Sequence, residues 1–406
     1  MSEPALIRTR CCVVGGGPAG MMAGFLLARA GIEVVVLEKH ADFFRDFRGD
    51  TIHPSTLELM HELGFLEEFL KLPHQEMSEI QLTFEGATFT TTDFSRLPVR
   101  CKFIAFMPQW DFLNFLAERA RRCPSFRLMM GAEALDLVRE GGRIAGVKAR
   151  SAEGDFAVRA DLVIAADGRS SILRERAGLE VMDANVPIDV LWTRIPKEQA
   201  SPRQTLGYVE NGRFMVLLDR GDYFQCGYII RKGGFEAIRR AGLPEFRANI
   251  VGLAPFLRGA VDAISDWDEV KLLTVKIDRL RRWHLPGFLC IGDSAHAMSP
   301  AGGVGINLAV QDAVAAANLL APAFERGTID ESLLRSIQRR RELPARLIQA
   351  MQIFVHRRMF PAVPRPARPS GRQGLPLPAR VIWAFPFLRR IIGRMIGMGL
   401  RPEHIR

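Results

Sequence analysis

TRCCVVGGGPAGMMAGFLLARAGIEVVVLE, residues 9–38, sets two apolar runs on either side of a glycine cluster and a helical stretch. Thr9–Val14 predicts a short buried strand, Pro18–Ala30 a helix stopped by Gly31, and Ile32–Glu38 a second strand. Gly15, Gly17 and Gly20 fall at G-x-G-x-x-G spacing inside this βαβ unit. That spacing gives a tight turn, a backbone that can approach a pyrophosphate, and a helix packed close to the sheet. The helix N-terminus carries roughly half a positive charge and faces the anion. Glu38, eighteen residues after Gly20, stands where an acid accepts hydrogen bonds from ribose hydroxyls. A plain glycine-rich turn beside a surface glutamate is the bland alternative, and the strand before it, the helix after it and the trailing acid together outweigh it.

The 406 residues allow two or three domains with a sizeable core. Apolar residues at 48%, charged residues at 25% and ordinary glycine and proline usage exclude global disorder, collagen and coiled coil. Six scattered cysteines without a C-x-x-C pair suggest neither a disulfide framework nor a metal site, and read as reduced cytoplasmic thiols. The net charge of +10 is uneven: residues 361–406 hold nine arginines against one acid, Glu403, and the body is nearly neutral. No basic and aromatic groove-reading motif appears, which argues against nucleic acid. Residues 361–378 contain six prolines and read as a linker or wrapping arm. Ala379–Leu400 is apolar and arginine-rich, interrupted by Pro386; a helix packed on the body is favoured over contact with an anionic membrane. No uninterrupted apolar run of transmembrane length is found. The nearest candidate, Cys11–Ala28, is broken by glycines and lacks a cleavage pattern, so the mature chain is expected to begin where the sequence does.

Further along, residues 52–71 have helical periodicity with Ser55 as the expected cap, Gln81–Phe94 reads as β structure, and Trp110–Arg122 as a helix. Asp161–Ala166 is a buried strand ending at Asp167-Gly168. Residues 186–232 read as antiparallel strands, with Asn211-Gly212 a strong hairpin signal. Helical pattern returns at 235–260, strands are expected at 269–278 and Gly287–Ile291, and a long helix at Gly305–Ala321.

Two more clusters carry chemistry. Asp167-Gly168-Arg169-Ser170-Ser171, followed by Arg174, reads as a tight turn and a serine-capped helix. Gly292-Asp293-Ser294-Ala295-His296 leads through Pro300 to the Gly302–Asn307 turn, with Gln311-Asp312-Ala313 in the helix beyond. Asp293 at a strand end can hold a polyol hydroxyl, and bare backbone N–H groups at the helix start can stabilise negative charge on a flat electron acceptor.

In this order and spacing the three clusters resemble the FAD-dependent aromatic hydroxylases, the single-component flavoprotein monooxygenases of the para-hydroxybenzoate hydroxylase fold, over roughly residues 8–350. The resemblance implies an α/β fold: a Rossmann-like FAD-binding domain (1–72, 106–180 and 270–360) with an inserted β-sheet substrate domain (73–105 and 181–269), and an arm with a helical segment at 361–406. It implies noncovalent FAD, NAD(P)H as a transient co-substrate, molecular oxygen, and hydroxylation of a small hydrophobic aromatic or polyketide-like substrate by way of a flavin hydroperoxide. Gly15, Gly17, Pro18, Ala19, Gly20, Glu38 and Lys39 would hold the ADP half, with Ala134 near adenine. Arg48 would contact flavin and pyrophosphate, Gln109 the ribityl or ribose oxygens, and Asp293 the ribityl chain, with Asp167 and Gly168 beside them. Pro300 would lie near the reactive carbon, with Gly303, Val304, Gly305, Ile306 and Asn307 under the pyrimidine edge.

Arg194 stands in Trp192-Thr-Arg-Ile-Pro196 where a halogenase of related fold has a second tryptophan, which disfavours halogenation. No second G-x-G-x-x-G provides a nicotinamide domain. Of the three tyrosines, Tyr208, Tyr223 and Tyr228, a strand tyrosine is a candidate contact to a phenol, and Tyr208 is taken for that role. His53 reads as helix entry ahead of general base, and His296 as positional. The competing readings are an FAD-binding protein whose redox state gates a partner without turnover, and a related flavin oxidase or dehydrogenase. The expected setting is the cytoplasm, peripheral to the membrane if the C-terminal segment touches it, as monomer or homodimer.

Overall fold

Valine- and cysteine-rich runs buried on both faces make a parallel sheet, the pattern of strands covered by helices on either side. In the computed structural model, which describes residues 5–44, 51–198, 207–359, 380–381 and 384–406, the order is Phe288–Cys290, Gly154–Ala165, Ala5–Val14, Val34–Glu38, Phe126–Met130. Register sets Val14 opposite both Leu37 and Ala165, and Ala165 opposite Cys290. Four strands therefore end in one row. The antiparallel strands Glu133–Glu140 and Arg143–Ser151 extend from Gly154–Ala165, and His284–Leu285 closes the other edge.

The helix Pro18–Arg29 is buried over most of its length. It can lie so close because Gly20 has no side chain: a Cβ there would stand 1.9 Å from the Gly15 carbonyl oxygen. The helix Gly305–Arg326 packs beside it, and its apolar residues fill the core. Among the described residues Ala301–Arg326 is the one helix long and apolar enough to cross a bilayer, and 78% of its apolar window is buried inside the fold.

A second sheet of seven strands runs Lys271–Leu273, Ile188–Pro196, Tyr223–Arg231, Arg213–Asp219, Gly207–Glu210, Glu79–Phe84, Ala87–Asp93. Asn211 (φ 50°) and Gly212 (φ 74°) make the expected tight hairpin. One pairing had no local signal: Gly207–Glu210 runs parallel to Glu79–Phe84, joining two distant pieces of chain. Phe246, Ile250 and Leu253 of the helix Leu243–Leu253 cover Leu191, Met215 and Cys226 on one face. A small sheet, Thr51–Ile52, Ile104–Phe106, Gln75–Met77, lies between the two systems.

Several expected elements are shorter than their periodicity suggests. The helix over 52–71 splits into Pro54–Glu62 and Leu66–Phe69 at Gly64 (φ 79°). Ser55 is not its cap: Pro54 occupies the first turn and His53 the cap position, without a side-chain capping bond. The stretch 235–260 breaks at Gly242 (φ 96°), and 269–278 divides into Lys271–Leu273 and Asp278–Leu280, which join different sheets.

The C-terminal helix Pro386–Gly397 lies on the body, as favoured from sequence. A Cβ at Gly393 would stand 2.1 Å from the Asp93 carbonyl oxygen, and one at Gly397 2.9 Å from Leu97 Cδ1. Its other face leaves Phe385, Phe387 and Ile391 about half exposed. The proline-rich arm and Arg48 lie outside the described residues.

His53 Nδ1 meets the Ile396 carbonyl at 2.8 Å, tying this helix to the domain. Complete burial pushes the His53 pKa down to about 4, against a partial lift from that hydrogen bond. The unfolded chain takes up a proton near 6.5 whereas the folded ring stays neutral to about pH 4, so unfolding is favoured as pH falls between them. We expect apoprotein stability to drop across this window, by on the order of 3 kcal/mol at pH 4 from His53. Denaturant titrations at stepped pH should show His53→Asn, which keeps a donor but does not titrate, with a flatter acid limb.

Candidate cofactor and substrate site

The row of strand ends brings the three sequence clusters together. Leaving Val14, the chain turns at Gly15 (φ 106°), where a Cβ would stand 2.3 Å from the Ala166 carbonyl oxygen, so the first cluster touches the Asp167-Gly168 turn. Gly292 (φ 62°) also touches the first cluster, its missing Cβ 2.9 Å from that of Ala19. At Gly17 nothing lies within 4 Å of where a side chain would begin, and the helix behind it has no side-chain cap. Free N–H donors thus face an open cradle, the arrangement that accepts a phosphate. Gly305, at the start of the second long helix, faces equally open space.

Glu38 is buried, its Oε2 accepting from Gly16 N (2.8 Å) and its Oε1 from His40 N (3.0 Å). It therefore fixes the glycine loop as well as ending the strand, and a carboxylate with two oxygens retains acceptor capacity for a sugar. Ala132 N donates to the Glu38 carbonyl at 2.9 Å, which sets the buried Ala134 nearby; Lys39 is exposed. Gln109 opens the helix Gln109–Ala120, and its neighbour Trp110 packs at a tilt against Phe44 with centroids 4.9 Å apart.

Arg169 Nη2 lies 3.3 Å from Asp293 Oδ2, joining the second and third clusters. Burial pushes the Asp167 carboxyl up, only partly opposed by its hydrogen bonds with Ser171 and Leu173, and its Oδ1 has no partner among the described residues. A buried acceptor without a donor is costly. Together with the two open helix starts it suits a polar, flat-ringed dinucleotide. Ser171 caps the next helix through Arg174 N (3.0 Å), as expected, and Arg174 makes two 3.1 Å bonds to the buried Asp278.

The Ser299-Pro300-Ala301 turn is held from the helix Glu331–Met359. Gln352 accepts from Ser299 N (3.1 Å) and donates to the carbonyls of Ser299 (3.0 Å) and Ala301 (2.8 Å). His356 Nε2 lies 3.2 Å from Ser299 Oγ, its pKa pushed down by burial to about 4. Thr51 Oγ1 donates to the Gly303 carbonyl (2.8 Å), and Asn307 Oδ1 accepts from His53 N (3.0 Å) and Thr56 Oγ1 (2.7 Å). None of Thr51, Gln352 and His356 stood out from sequence. Gln338, Arg341, Gln349, Gln352 and His356 recur at helical spacing, a polar stripe that reads as a solvated face and is in fact buried.

A narrow cleft lies between the small sheet and the seven-stranded one. Met77, Phe106, Tyr208, Phe224 and Phe256 give it apolar walls. Its polar edge is Asp219, which accepts from Lys197 (2.5 Å), Gly221 N (2.9 Å) and Gln75 (3.2 Å). Burial works against that charge, but these donors outweigh it and hold the carboxyl below the usual range. Phe106 pairs with Thr51, and Thr51 bonds Gly303, so cleft and turn are one strand pair apart. Tyr208 alone of the three tyrosines lines the cleft: Tyr228 packs edge-on against Phe246, and Tyr223 lies under Arg194.

The family described as FAD binding domain matches residues 8–351. 6-methylpretetramide 4-monooxygenase of Streptomyces rimosus is 34% identical, over 87% of this chain and 84% of the relative. Para-nitrophenol 4-monooxygenase of a Pseudomonas species is 24% identical, over 81% and 82%. Among solved structures, OxyS anhydrotetracycline hydroxylase from Streptomyces rimosus superposes with TM-score 0.73 at 21% identity, over 96% of this chain and 76% of that one. PqsL of Pseudomonas aeruginosa, a probable FAD-dependent monooxygenase, gives 0.73 at 19%, over 87% and 98%. At such identities the structures speak for the fold, and they agree with the Rossmann-like domain and added β-sheet seen here. The chain belongs to the FAD-binding family of flavoprotein aromatic hydroxylases with the para-hydroxybenzoate hydroxylase fold, and its cofactor is FAD.

Proposed function

We propose that this FAD-dependent monooxygenase hydroxylates a hydrophobic, polyketide-like phenol held in the cleft beside the Pro300–Gly303 turn, with NAD(P)H as reductant. The observation that carries the reading is the apolar cleft one strand pair from that turn. Bound FAD would relay two electrons from NAD(P)H to oxygen and so activate it. The protein supplies shape and exclusion of water: Phe106, Phe224 and Phe256 wall the ring, and Tyr208 offers it a hydroxyl. The ionised Asp219 accepts a hydrogen bond from a substrate hydroxyl and disfavours an anionic substituent at that end.

We assign the ADP half of FAD to Gly15, Gly17, Pro18, Ala19, Gly20, Glu38 and Lys39, with Ala134 beside them. The ribityl side falls to Asp293, Asp167, Gly168 and Gln109, and the ring side to Pro300 and Gly303–Asn307. Arg48 keeps its flavin-side assignment from sequence. The cofactor domain takes 1–72, 106–180 and 270–360, and the substrate domain 73–105 and 181–269. All six cysteines are free, which suits a reducing cytoplasm. The protein acts there as monomer or homodimer.

The outer face of the C-terminal helix extends the proposal to a membrane surface. Phe385, Phe387 and Ile391 project beside the exposed Arg390 and Arg394, a pairing of apolar and basic groups that suits an anionic bilayer. Flotation with vesicles containing phosphatidylserine should show binding that falls with salt, each arginine at such a surface contributing about 1 kcal/mol. Phe387→Ser combined with Ile391→Ser should abolish flotation without moving the melting temperature.

Purified protein should be yellow, and acid or heat should release FAD from the chain. Glu38→Ala and Asp293→Ala should each weaken FAD retention by about 1.5 to 3 kcal/mol, the worth of a charge-assisted hydrogen bond, measured by flavin fluorescence titration. The activity itself is tested by NAD(P)H oxidation against a panel of mono- and polycyclic phenols. Hydroxylated product matching reductant consumed is expected for a fused-ring phenol, and failure across the panel would favour a redox-gated binding role.

A further inference from the structure

We propose that Glu403, three residues before Arg406, is a positioning residue for the FAD site, acting through Arg341 and Asp312 on the Gly292–His296 turn. The inference rests on the FAD reading of that turn. Asp312 lies inside the helix Gly305–Arg326 with its side chain 1% exposed. Its Oδ2 accepts from Gly292 N (3.0 Å) and lies 2.5 Å from His296 Nε2, so one carboxylate holds both ends of the segment that carries Asp293.

Its other oxygen accepts from Arg341 Nε at 3.0 Å. Arg341, also 1% exposed, reaches the opposite way to the Arg401 carbonyl (2.9 Å) and to Glu403 Oε1 (3.3 Å). The Glu403 carboxylate has no exposure; Arg340 closes it from the outside at 2.7 Å, and its backbone N–H donates to Gln311, one residue before Asp312. The acids and the arginines alternate, so Asp312 and Glu403 share the charge of the Arg341 guanidinium. Removing one member of such a chain leaves an uncompensated charge.

Among the described residues Glu403 is the only acid paired with the outer side of the Arg341 guanidinium. With Glu403 neutral, the guanidinium is drawn wholly onto Asp312 and competes with Gly292 N–H and His296 for the same carboxylate. The cost then falls on the turn, where the cofactor binds. A merely structural tail would lower stability and leave affinity alone.

The test uses full-length apoprotein, titrated with FAD by fluorescence at a temperature well below every melting point, with apoprotein melting recorded separately. For Glu403→Gln we expect the Kd for FAD to rise about tenfold or more, the scale on which partners behind a ligand set its geometry. Glu403→Asp should recover part of it. His404→Ala removes the neighbouring exposed contact to Glu62 and should stay within twofold of wild type. If Glu403→Gln does not fold, Arg340→Gln weakens the same carboxylate from outside and should raise the Kd about threefold. A lower melting temperature with the Kd unchanged within twofold would overturn the proposal. Wild-type apoprotein that fails to bind FAD would instead overturn the cofactor assignment beneath it.

Discussion

Backbone meets backbone where the Gly15 turn, the first turn of the Pro18–Arg29 helix and Ala166 converge, and no side chain fits between them. Would-be Cβ atoms at Gly15 and Gly20 stand 2.3 and 1.9 Å from carbonyl oxygens. Because that contact is so close, the helix N-terminus sits directly over the ends of the parallel strands. The Asp167 turn and the Gly292 turn can then crowd in from the same side. Everything the site offers a dinucleotide follows from this one exclusion: two open helix starts, a carboxylate behind the glycine loop, and Asp293 drawn toward Arg169.

Much of this was legible in the sequence because the signals are local. Glycines at fixed spacing after a strand, an acid at the next strand's end, and Asn211-Gly212 between apolar runs each state a backbone requirement within a few residues. Local reasoning failed where an element's neighbours are remote. Ser55 has a capping residue's chemistry, yet Pro54 already begins the helix. The parallel pairing of Gly207–Glu210 with Glu79–Phe84 leaves no mark in either stretch.

The site's supporting shell was hidden for a related reason. Gln352 and His356 lie on a long helix whose polar residues look solvated, and only tertiary packing turns that stripe inward against the Ser299–Ala301 turn. Glu403 was visible as the lone acid in a basic tail, but its partners, Arg340 and Arg341, belong to a helix some sixty residues earlier. The cleft lined by Tyr208 is likewise assembled from four separate pieces of chain, and no single stretch of sequence encodes it.

The parallel strand pair also sets a timetable for synthesis. The hairpin Glu79–Asp93 leaves the ribosome more than a hundred residues before Gly207–Glu210, its partner in the sheet, and still longer before the Pro386–Gly397 helix that rests on it. Contacts of such sequence separation form slowly, since a long loop must close before they contribute. Until then this hairpin presents unpaired edges to other nascent chains. The threonines at 88, 90, 91 and 92 and the charged Glu79 keep that hairpin polar while it waits. Polar side chains on that hairpin thereby disfavour edge pairing with another chain before its own partners are made.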